Sequence, residues 1–309
     1  MGNHKKQRIK SHCDNTLKSR SMLADACYFS CGQIYDTVSR QWVLTGMPMM
    51  PTYFISVELD KQELQTMAIA FLSGVNESKI LNAEFNPPTF DEQERIKKAV
   101  EILKNAPLYL SYLPDYRLQD VENLIKRGVY RHNCKMFVFD YIATSMGIIE
   151  EISTRSNGIK LREDNVLFLL STKLKDLCSK YEIFILSGTQ LSANFKTEEI
   201  PDQTLLRGAK SIADRVDIGE IMLDCTRDDI DKIMPICAER RLPIPNVKMS
   251  VYKNRGGKDT RIFLWMAADK GTCRYDTIFA TNYAYEWYNI NDMKITIDPE
   301  TGEVVSDEV

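Results

Sequence analysis

The 309-residue chain lacks the long apolar segments that mark membrane and secreted proteins. Its uninterrupted apolar runs, such as residues 166–170, are far shorter than the roughly 20 residues that a membrane-spanning helix needs. The first twenty residues are polar and basic, and they contain no apolar segment of the kind found in secretory signals. We therefore expect a cytoplasmic protein that makes no contact with a membrane.

Metal-binding side chains are also scarce. The chain has three histidines, and its eight cysteines contain no C-x-x-C pair. A structural zinc ion normally needs four closely spaced Cys or His ligands, so we expect no zinc site. Scattered cysteines without such spacing are typical of reduced thiols in a cytosolic protein.

Charge is unevenly distributed along the chain, although the net charge is only -3. The first twenty residues carry several Lys and Arg side chains, whereas the last dozen residues are acidic and polar. The basic end is compatible with nucleic-acid contact, but a short solvated segment is the commoner meaning of such a run. A hydrophobic content of 44% is sufficient for a full core in one large domain or two small ones.

Apolar segments of strand type alternate with helical ones through most of the chain. Strands are predicted at residues 53–57, 108–113, 136–140, 182–186 and 218–223, with a hairpin at 247–252 and 261–266. Helices are predicted at residues 59–72, 90–103, 118–128, 161–181 and 205–216. This alternation predicts an α/β fold with a mainly parallel twisted sheet between helices, closed by antiparallel strands at its C-terminal end. We expect no sheet strand before residue 12.

Polar side chains stand at the ends of three predicted strands. Asp140 follows the continuous apolar run 136–139, Glu58 follows the strand 53–57, and Gln190 comes after the strand 182–186. In open α/β sheets, ligands bind at the carboxyl edge, so these side chains indicate a nucleotide or metal site there. Each residue alone can equally be a polar side chain that marks a strand end.

Five short segments together resemble the RecA-type ATPase domain of the DnaB family of hexameric replicative helicases, particularly its phage relatives. The segments are Ile-Ser-Val-Glu-Leu at 55–59, Phe-Val-Phe-Asp-Tyr at 137–141, Gly-Thr-Gln-Leu-Ser at 188–192, Leu-Arg-Gly-Ala-Lys-Ser-Ile-Ala-Asp at 206–214 and Tyr-Lys-Asn-Arg-Gly-Gly at 252–257. Each segment is weak alone, but their order and spacing together are specific. The resemblance implies a RecA-like P-loop NTPase core at 31–285, after a basic arm with a phosphate-loop remnant and its helix at 1–30 and before a tail at 286–309.

The resemblance also implies ATP with Mg²⁺ as the bound nucleotide and a role for each residue at the strand ends. Glu58 is expected to polarise the attacking water, and Asp140 is expected to hold the water shell of Mg²⁺. Gln190 is expected to sense the γ-phosphate. Lys253 and Arg255 match an arginine-finger segment, which in a ring reaches the nucleotide of the neighbouring subunit. A solvated hairpin turn is the alternative for residues 254–257.

Single-stranded DNA is the polymer that the resemblance implies, bound in a ring that is expected to be a hexamer. The matching DNA-facing segment contains Arg207, Gly208 and Lys210, and residues 154–162 form a second basic candidate. Arg, Lys and backbone N–H groups suit phosphate contacts that carry no sequence preference. Both segments can equally be solvated loops. An intact helicase or a primase is a further expected partner.

The sequence departs from the family at the phosphate-binding loop G-x-x-x-x-G-K-[ST]. Lys18 and Ser19 keep the charge and the hydroxyl that would meet phosphate and Mg²⁺, but His12 and Leu17 replace the two glycines. Glycine lets backbone N–H groups wrap closely around a phosphate. Two functions therefore remain open: an ATP-dependent DNA helicase, or an inactive descendant that binds DNA or an intact helicase as a regulator or loader.

Overall fold

A computed structural model gives the fold of residues 7–12, 15–46, 48–84, 90–155, 162–191, 215–255, 259–289, 296–297 and 304–305, with the single residues 201, 205, 212 and 257. Side chains are described from Lys18 onward, except at residues 90 and 155 and in the last two short segments.

Most of the described strands join one ten-stranded sheet. Six of them run parallel, in the spatial order β5-β4-β6-β7-β1-β8. Four antiparallel strands then extend the sheet in the order β9, β10, β11 and β12. The parallel strands are β1 (Gln7–His12), β4 (Thr52–Ser56), β5 (Leu108–Tyr112), β6 (Met136–Asp140), β7 (Phe184–Gln190) and β8 (Ile218–Asp224). The antiparallel strands are β9 (Val247–Asn254), β10 (Ile262–Asp269), β11 (Arg274–Asn282) and β12 (Trp287–Tyr288).

Two small hairpins and eight described helices complete the fold. The hairpins are β2 (Gln33–Asp36) with β3 (Gln41–Leu44), and β13 (Thr296–Ile297) with β14 (Val304–Val305). The helices are α1 (Asn15–Ser30), α2 (Lys61–Ser73), α3 (Glu77–Asn82), α4 (Phe90–Asn105), α5 (Leu118–His132), α6 (Met146–Arg155), α7 (Glu163–Tyr181) and α8 (Arg227–Arg240). Within the described ranges, no helix has the length and apolarity that crossing a membrane requires. The α/β fold predicted from the sequence is confirmed.

Strand β6 shows why the sheet needs helices on both of its faces. Met136 and Val138 pack into a core with α1 and α2, whereas Phe137 and Phe139 pack into a separate core with α5, α6 and α7. All five residues of the strand are buried. A strand covered on both faces has no solvent side, which explains the continuous apolar run from which it was predicted.

The expectation of no strand before residue 12 is wrong. Strand β1 lies in the middle of the sheet and pairs in parallel with β7 on one side and with β8 on the other. Its sequence, Gln-Arg-Ile-Lys-Ser-His, contains one apolar residue, so periodicity and hydrophobicity give no strand signal. The tertiary context, with paired strands on both edges, overrides the weak local preference.

Other elements differ from their predicted bounds for local reasons. Helix α2 begins at Lys61 rather than at residue 59, because Asp60 caps it in a capping box with Glu63. Strand β7 runs on to Gln190 and therefore includes the polar end that was predicted to follow it. The polar helix α8, whose capping box joins Thr226 and Asp229, was not predicted, and neither were α3, α6, β2, β3 and β11. The predicted helix at 205–216 lies mostly outside the described residues.

A buried ion pair ties α8 to the antiparallel part of the sheet. The Lys248 ammonium lies 2.6 Å from a carboxylate oxygen of Asp229, and the two side chains are 7% and 2% exposed. The Tyr285 hydroxyl donates a hydrogen bond of 3.1 Å to the same carboxylate. Asp229 also accepts from the backbone N–H and hydroxyl of Thr226, so its charge is compensated from several sides.

Replacing Lys248 with Met should lower the free energy of unfolding by about 3–5 kcal/mol, because it leaves the Asp229 carboxylate buried without its cation. Lys97→Met is the matched control, since Lys97 pairs with Glu94 on the surface and both side chains are about two-thirds exposed. That control should cost less than about 1 kcal/mol. Urea unfolding of both variants measures the difference, and equal losses would show that the buried pair has no special weight.

Candidate active site

The polar residues predicted at strand ends do meet at the carboxyl edge of the parallel sheet. Asp140 is the last residue of β6, and Gln190 is the last residue of β7, the strand beside it. Glu58 lies two residues beyond β4, on the other side of β6. The backbone N–H of Val57 donates to the carbonyl of Asp140 at 2.8 Å, which holds the Glu58 segment against the end of β6.

Lys18 joins this group from helix α1, which follows the central strand β1. Its side chain is fully buried, and within the described chain its ammonium group has no hydrogen-bond partner. The nitrogen lies 3.1 Å from the centre of the Tyr141 ring, so the ring face provides its nearest compensating interaction. A buried ammonium group without a hydrogen-bonding partner is costly in a folded protein.

A glycine on β7 makes room for the lysine. A β-carbon at position 188 would lie 2.6 Å from Cδ and 2.8 Å from Cγ of Lys18, and 3.0 Å from the Met22 side chain. Such contacts are shorter than packed atoms allow, so any side chain at Gly188 would displace the lysine or the strand. Gly188 therefore fixes where the Lys18 side chain runs.

The Asp140 carboxylate is as deeply buried as the lysine. It is 0% exposed, and in the described part of the chain neither of its oxygens has a hydrogen-bond partner. Burial raises the pKa of Asp140 to about 6, while the nearby Lys18 charge and Ser19 hydroxyl oppose that rise. The Ser19 hydroxyl therefore lies near the carboxylate but does not have the geometry of a hydrogen bond.

Burial acts on Lys18 in the opposite direction. It lowers the pKa of the Lys18 ammonium to about 8, and the Asp140 and Glu58 carboxylates oppose that shift. The two pKa values leave a charged lysine and a charged aspartate together near pH 7. Two buried charges whose hydrogen-bonding capacity is unused form an arrangement suited to an external ligand that carries both charge and polar atoms.

Tyr141 connects the lysine to Gln190, and the sequence did not identify it as a site residue. The side-chain amide of Gln190 donates a hydrogen bond of 3.1 Å to the Tyr141 hydroxyl, while the Tyr141 ring lies under Lys18. Tyr141 follows Asp140 directly, so the only available signal was its place in the segment 137–141. A small cavity of about 160 Å³ adjoins this group; its lining includes Tyr141, Thr144, Glu163, Thr189 and Gln190.

Lys253 and Arg255 lie far from this group within one chain. Lys253 pairs with Gly219 near the amino end of β8, and β9 is four strands away from β6, roughly 20 Å at the usual strand spacing. The Arg255 side chain is 60% exposed and its guanidinium lies 3.8 Å from the Asp217 carboxylate. The two cations are therefore placed for contact with something outside this fold rather than with Asp140.

Two other groups of predicted site residues receive no geometry. Arg207, Gly208 and Lys210 lie outside the described residues, as does most of the segment 154–162. In the region of the expected phosphate loop, β1 ends at His12 and α1 begins at Asn15. Residues 13 and 14 alone separate the strand from the helix, and Lys18 and Ser19 lie in the first turns of α1.

The fold and the position of the site define a RecA-like α/β domain. The structure is similar to a solved structure of another ATPase domain, with a TM-score of 0.64, 15% sequence identity, and coverage of 90% of this chain and 86% of the other. It is also similar to "The Structure Of A DnaB-Like Replicative Helicase And Its Interactions With Primase", with a TM-score of 0.62, 14% identity, and coverage of 89% and 57%. At these identities the likeness concerns the fold.

The sequence then places the chain in a family. Residues 34–273 match the DnaB-like helicase C-terminal domain, and the chain belongs to that family. It is 35% identical over 295 residues to the "SPbeta prophage-derived uncharacterized protein YorI" of Bacillus subtilis (strain 168). That match covers 94% of this chain and 58% of the prophage protein, so the chain spans little more than half the length of this relative. The predicted resemblance to DnaB-type helicases is confirmed.

The pKa of Lys18 predicts how stability depends on pH. Between pH 8 and pH 10.5 the unfolded chain holds a proton that the folded Lys18 has released, so the free energy of unfolding should gain a rising contribution with pH. Lys18→Met lacks this contribution. The stability of the variant relative to the unmodified protein should therefore be greatest below pH 8, and it should fall toward pH 10.5.

Urea unfolding at several pH values measures this difference, with Lys97→Met as an exposed control that should follow the unmodified protein. Curves for Lys18→Met and the unmodified protein that stay parallel from pH 7 to pH 10.5 would contradict a lowered Lys18 pKa.

Proposed function

We propose that this chain is an ATPase domain that binds Mg²⁺-ATP at Lys18, Ser19, Asp140 and Glu58 and couples hydrolysis to movement along single-stranded DNA. The observation that carries the proposal is the pair of buried, opposite charges whose polar atoms have no hydrogen-bond partner among the described residues. Membership of the DnaB-like helicase family supports the same function.

The residues present fit a phosphate-bound magnesium ion better than a metal held by protein alone. In the described part of the chain, no group of three or more Asp, Glu, His or Cys side chains could hold a metal ion. Mg²⁺ usually keeps several waters and takes one or two carboxylates together with substrate phosphates. Asp140 and Ser19 would hold the ion, and it would neutralise charge on the phosphate oxygens during transfer.

Each residue then has a separate role in hydrolysis. Lys18 binds phosphate oxygens, because its buried ammonium offers three donors with no competing acceptor. Glu58 is exposed at the edge of the site, where it can accept a hydrogen bond from an attacking water and orient it. Phosphoryl transfer needs little covalent chemistry from the protein, so positioning of this kind accounts for most of the rate enhancement.

Gln190 and Tyr141 give the site a way to report the bound phosphate. Lys18 rests on the Tyr141 ring, and Tyr141 is hydrogen-bonded to Gln190. Movement of the Lys18 ammonium toward a phosphate removes its contact with the ring. The change therefore reaches Gln190 through one side chain, and Gln190 lies at the end of β7, directly before the polar segment that follows the strand.

A ring supplies the remaining groups. Lys253 and Arg255 are too far from Asp140 to act within one chain, so we propose that they meet the nucleotide of a neighbouring subunit in a ring, expected to be a hexamer. Arg207, Gly208 and Lys210 are the proposed contacts to the DNA backbone. Primase or an intact helicase is the proposed protein partner, in the cytoplasm of a bacterium or of a phage-infected cell.

One observation favours a second function, in which the chain is inactive and binds DNA or an intact helicase as a regulator or loader. Residues 13 and 14 alone lie between β1 and α1, and neither His12 nor Leu17 is the glycine that the phosphate loop uses. A short connection without glycine offers few backbone N–H groups to a phosphate. Nucleotide binding decides between the two functions.

Glu58→Gln should lower DNA-stimulated ATP hydrolysis by about 100-fold or more, since it removes the base but keeps the size of the side chain. Nucleotide affinity should stay within about threefold, because the residue acts on water rather than on phosphate. Glu94→Gln, on the exposed side of α4, is the matched control and should leave hydrolysis unchanged. An unmodified protein that shows neither hydrolysis nor nucleotide binding by calorimetry would exclude the ATPase function.

Restoring the two glycines tests the cause of any weak binding. The double substitution His12→Gly and Leu17→Gly should tighten Mg²⁺-ATP binding by about tenfold if backbone N–H groups are the missing contacts. Glycine at position 17 also weakens α1 by about 1 kcal/mol, so Leu17→Ala combined with His12→Ala serves as the control. Equal nucleotide affinity in both double variants would show that the glycines are not the limiting feature.

A further inference from the structure

We propose that the C-terminal halves of α5 and α7 form a second binding surface, which takes single-stranded nucleic acid by phosphate contacts and base stacking. We call it the α5–α7 basic face. It consists of Lys126, Arg127, Tyr130, Arg131, Lys173 and Lys180. These residues belong neither to the candidate active site nor to the segments proposed above for DNA contact.

Three lysines of this face converge on a single carboxylate. The ammonium groups of Lys173, Lys180 and Lys126 lie 2.7, 2.9 and 3.4 Å from the oxygens of Glu122, which is buried between the two helices. Hydrogen bonds from Lys173 and Lys180 lower the pKa of Glu122 to about 2. One negative charge therefore holds three positive ones, and each lysine side chain stays one-third to one-half exposed, with donors left for another anion.

The neighbouring arginines are not occupied by carboxylates. Arg127 and Arg131 are exposed on the outer side of α5, one helical turn apart, and neither forms an ion pair with a described residue. Planar guanidinium groups bind phosphate oxygens through two parallel hydrogen bonds. The pair is therefore free to hold successive phosphates of a flexible chain.

Tyr130 adds a surface on which a base can stack. It lies between the two arginines on α5 and is 76% exposed, which is unusual for a large aromatic side chain. Its ring meets Tyr181 edge to face with 6.0 Å between ring centres, and the Lys180 ammonium lies 5.1 Å from the centre of the Tyr181 ring. An exposed aromatic ring among cations is the arrangement by which proteins bind single strands without sequence preference.

The charge of this region contrasts with that of the whole chain. Residues 122–135 and 173–182 carry seven Lys and Arg side chains against three Asp and Glu. The local net charge of +4, or +3 when the Lys175 partner Asp217 is included, stands against -3 for the full sequence. A local surplus of this size attracts a polyanion even though the protein as a whole is acidic.

The basic face lies at the opposite edge of the sheet from Asp140. Helix α5 leads from the carboxyl end of β5 to the amino end of β6, and α7 leads to the amino end of β7, so both helices end at the amino edge. The proposed surface is therefore separate from the nucleotide site. Its exposed stacking side chain favours a strand with accessible bases over a duplex, whose bases are already stacked.

Fluorescence anisotropy with a labelled oligo-dT of about 20 nucleotides, without ATP, tests the surface in the full chain. Tyr130→Ala should weaken binding by about tenfold through lost stacking. The double substitution Arg127→Ala and Arg131→Ala should reduce the slope of log affinity against log salt by about 1.4, since each lost phosphate contact accounts for about 0.7. Lys97→Ala, an exposed lysine on the other side of the sheet, should change affinity by less than twofold.

Photocrosslinking locates the strand independently of affinity. An oligo-dT that contains 5-iodouracil should attach to the peptide of α5 that includes Tyr130, and mass spectrometry identifies the site. Affinity and salt slope that stay within twofold and 0.3 of the unmodified values in both variants would overturn the proposal. So would variants that change the sedimenting mass at unchanged oligo-dT affinity, because the face would then join copies of the chain. Equal loss of duplex binding, with Tyr130→Ala silent, would overturn the assignment to single strands.

Discussion

The structure depends most on two opposite charges that are buried together at the edge of the sheet. Lys18 and Asp140 are both fully buried, and within the described residues neither side chain has a hydrogen-bond partner. Replacing such a pair with apolar side chains of similar size is often neutral or stabilising. Burial has shifted the pKa of each group toward its neutral form, and the two groups oppose each other's shift. The site is therefore maintained against the stability of the fold, which is typical of residues kept for function.

The rest of the architecture keeps these charges in place. The sheet is covered on both faces, so β6 can end in an aspartate that is shielded from water on every side but one. Strand β1 places α1 beside β7, and the absence of a side chain at Gly188 leaves the channel through which Lys18 reaches the site. Tyr141 then supports the ammonium group from below. Backbone and apolar contacts thus do the positioning that hydrogen bonds do in most polar sites.

The sequence predicted those parts of the fold whose burial is uniform or strictly periodic. Strand β6 was predicted with its observed bounds, because four apolar residues followed by Asp140 suit a strand covered on two sides. Strand β1 could not be found, since its place depends on β7 and β8, which follow it by more than 170 residues. The site residues Glu58, Asp140 and Gln190 were predicted to converge from their strand ends. The contacts of Tyr141 and Gly188 required the packing of α1 against the sheet, and no local pattern contains that information.

The two features of the nucleotide site that conflict, the intact charges and the altered loop, differ in what they cost the folded chain. Loss of loop glycines removes conformational freedom and leaves the unfolded state less disordered, so such a change is easily tolerated by the fold. Burial of Lys18 beside Asp140 without hydrogen bonds works against stability, and a chain with no ligand for the pair gains by replacing both residues with apolar ones. The retained pair therefore argues more strongly for a bound polyanion and cation than the missing glycines argue against them.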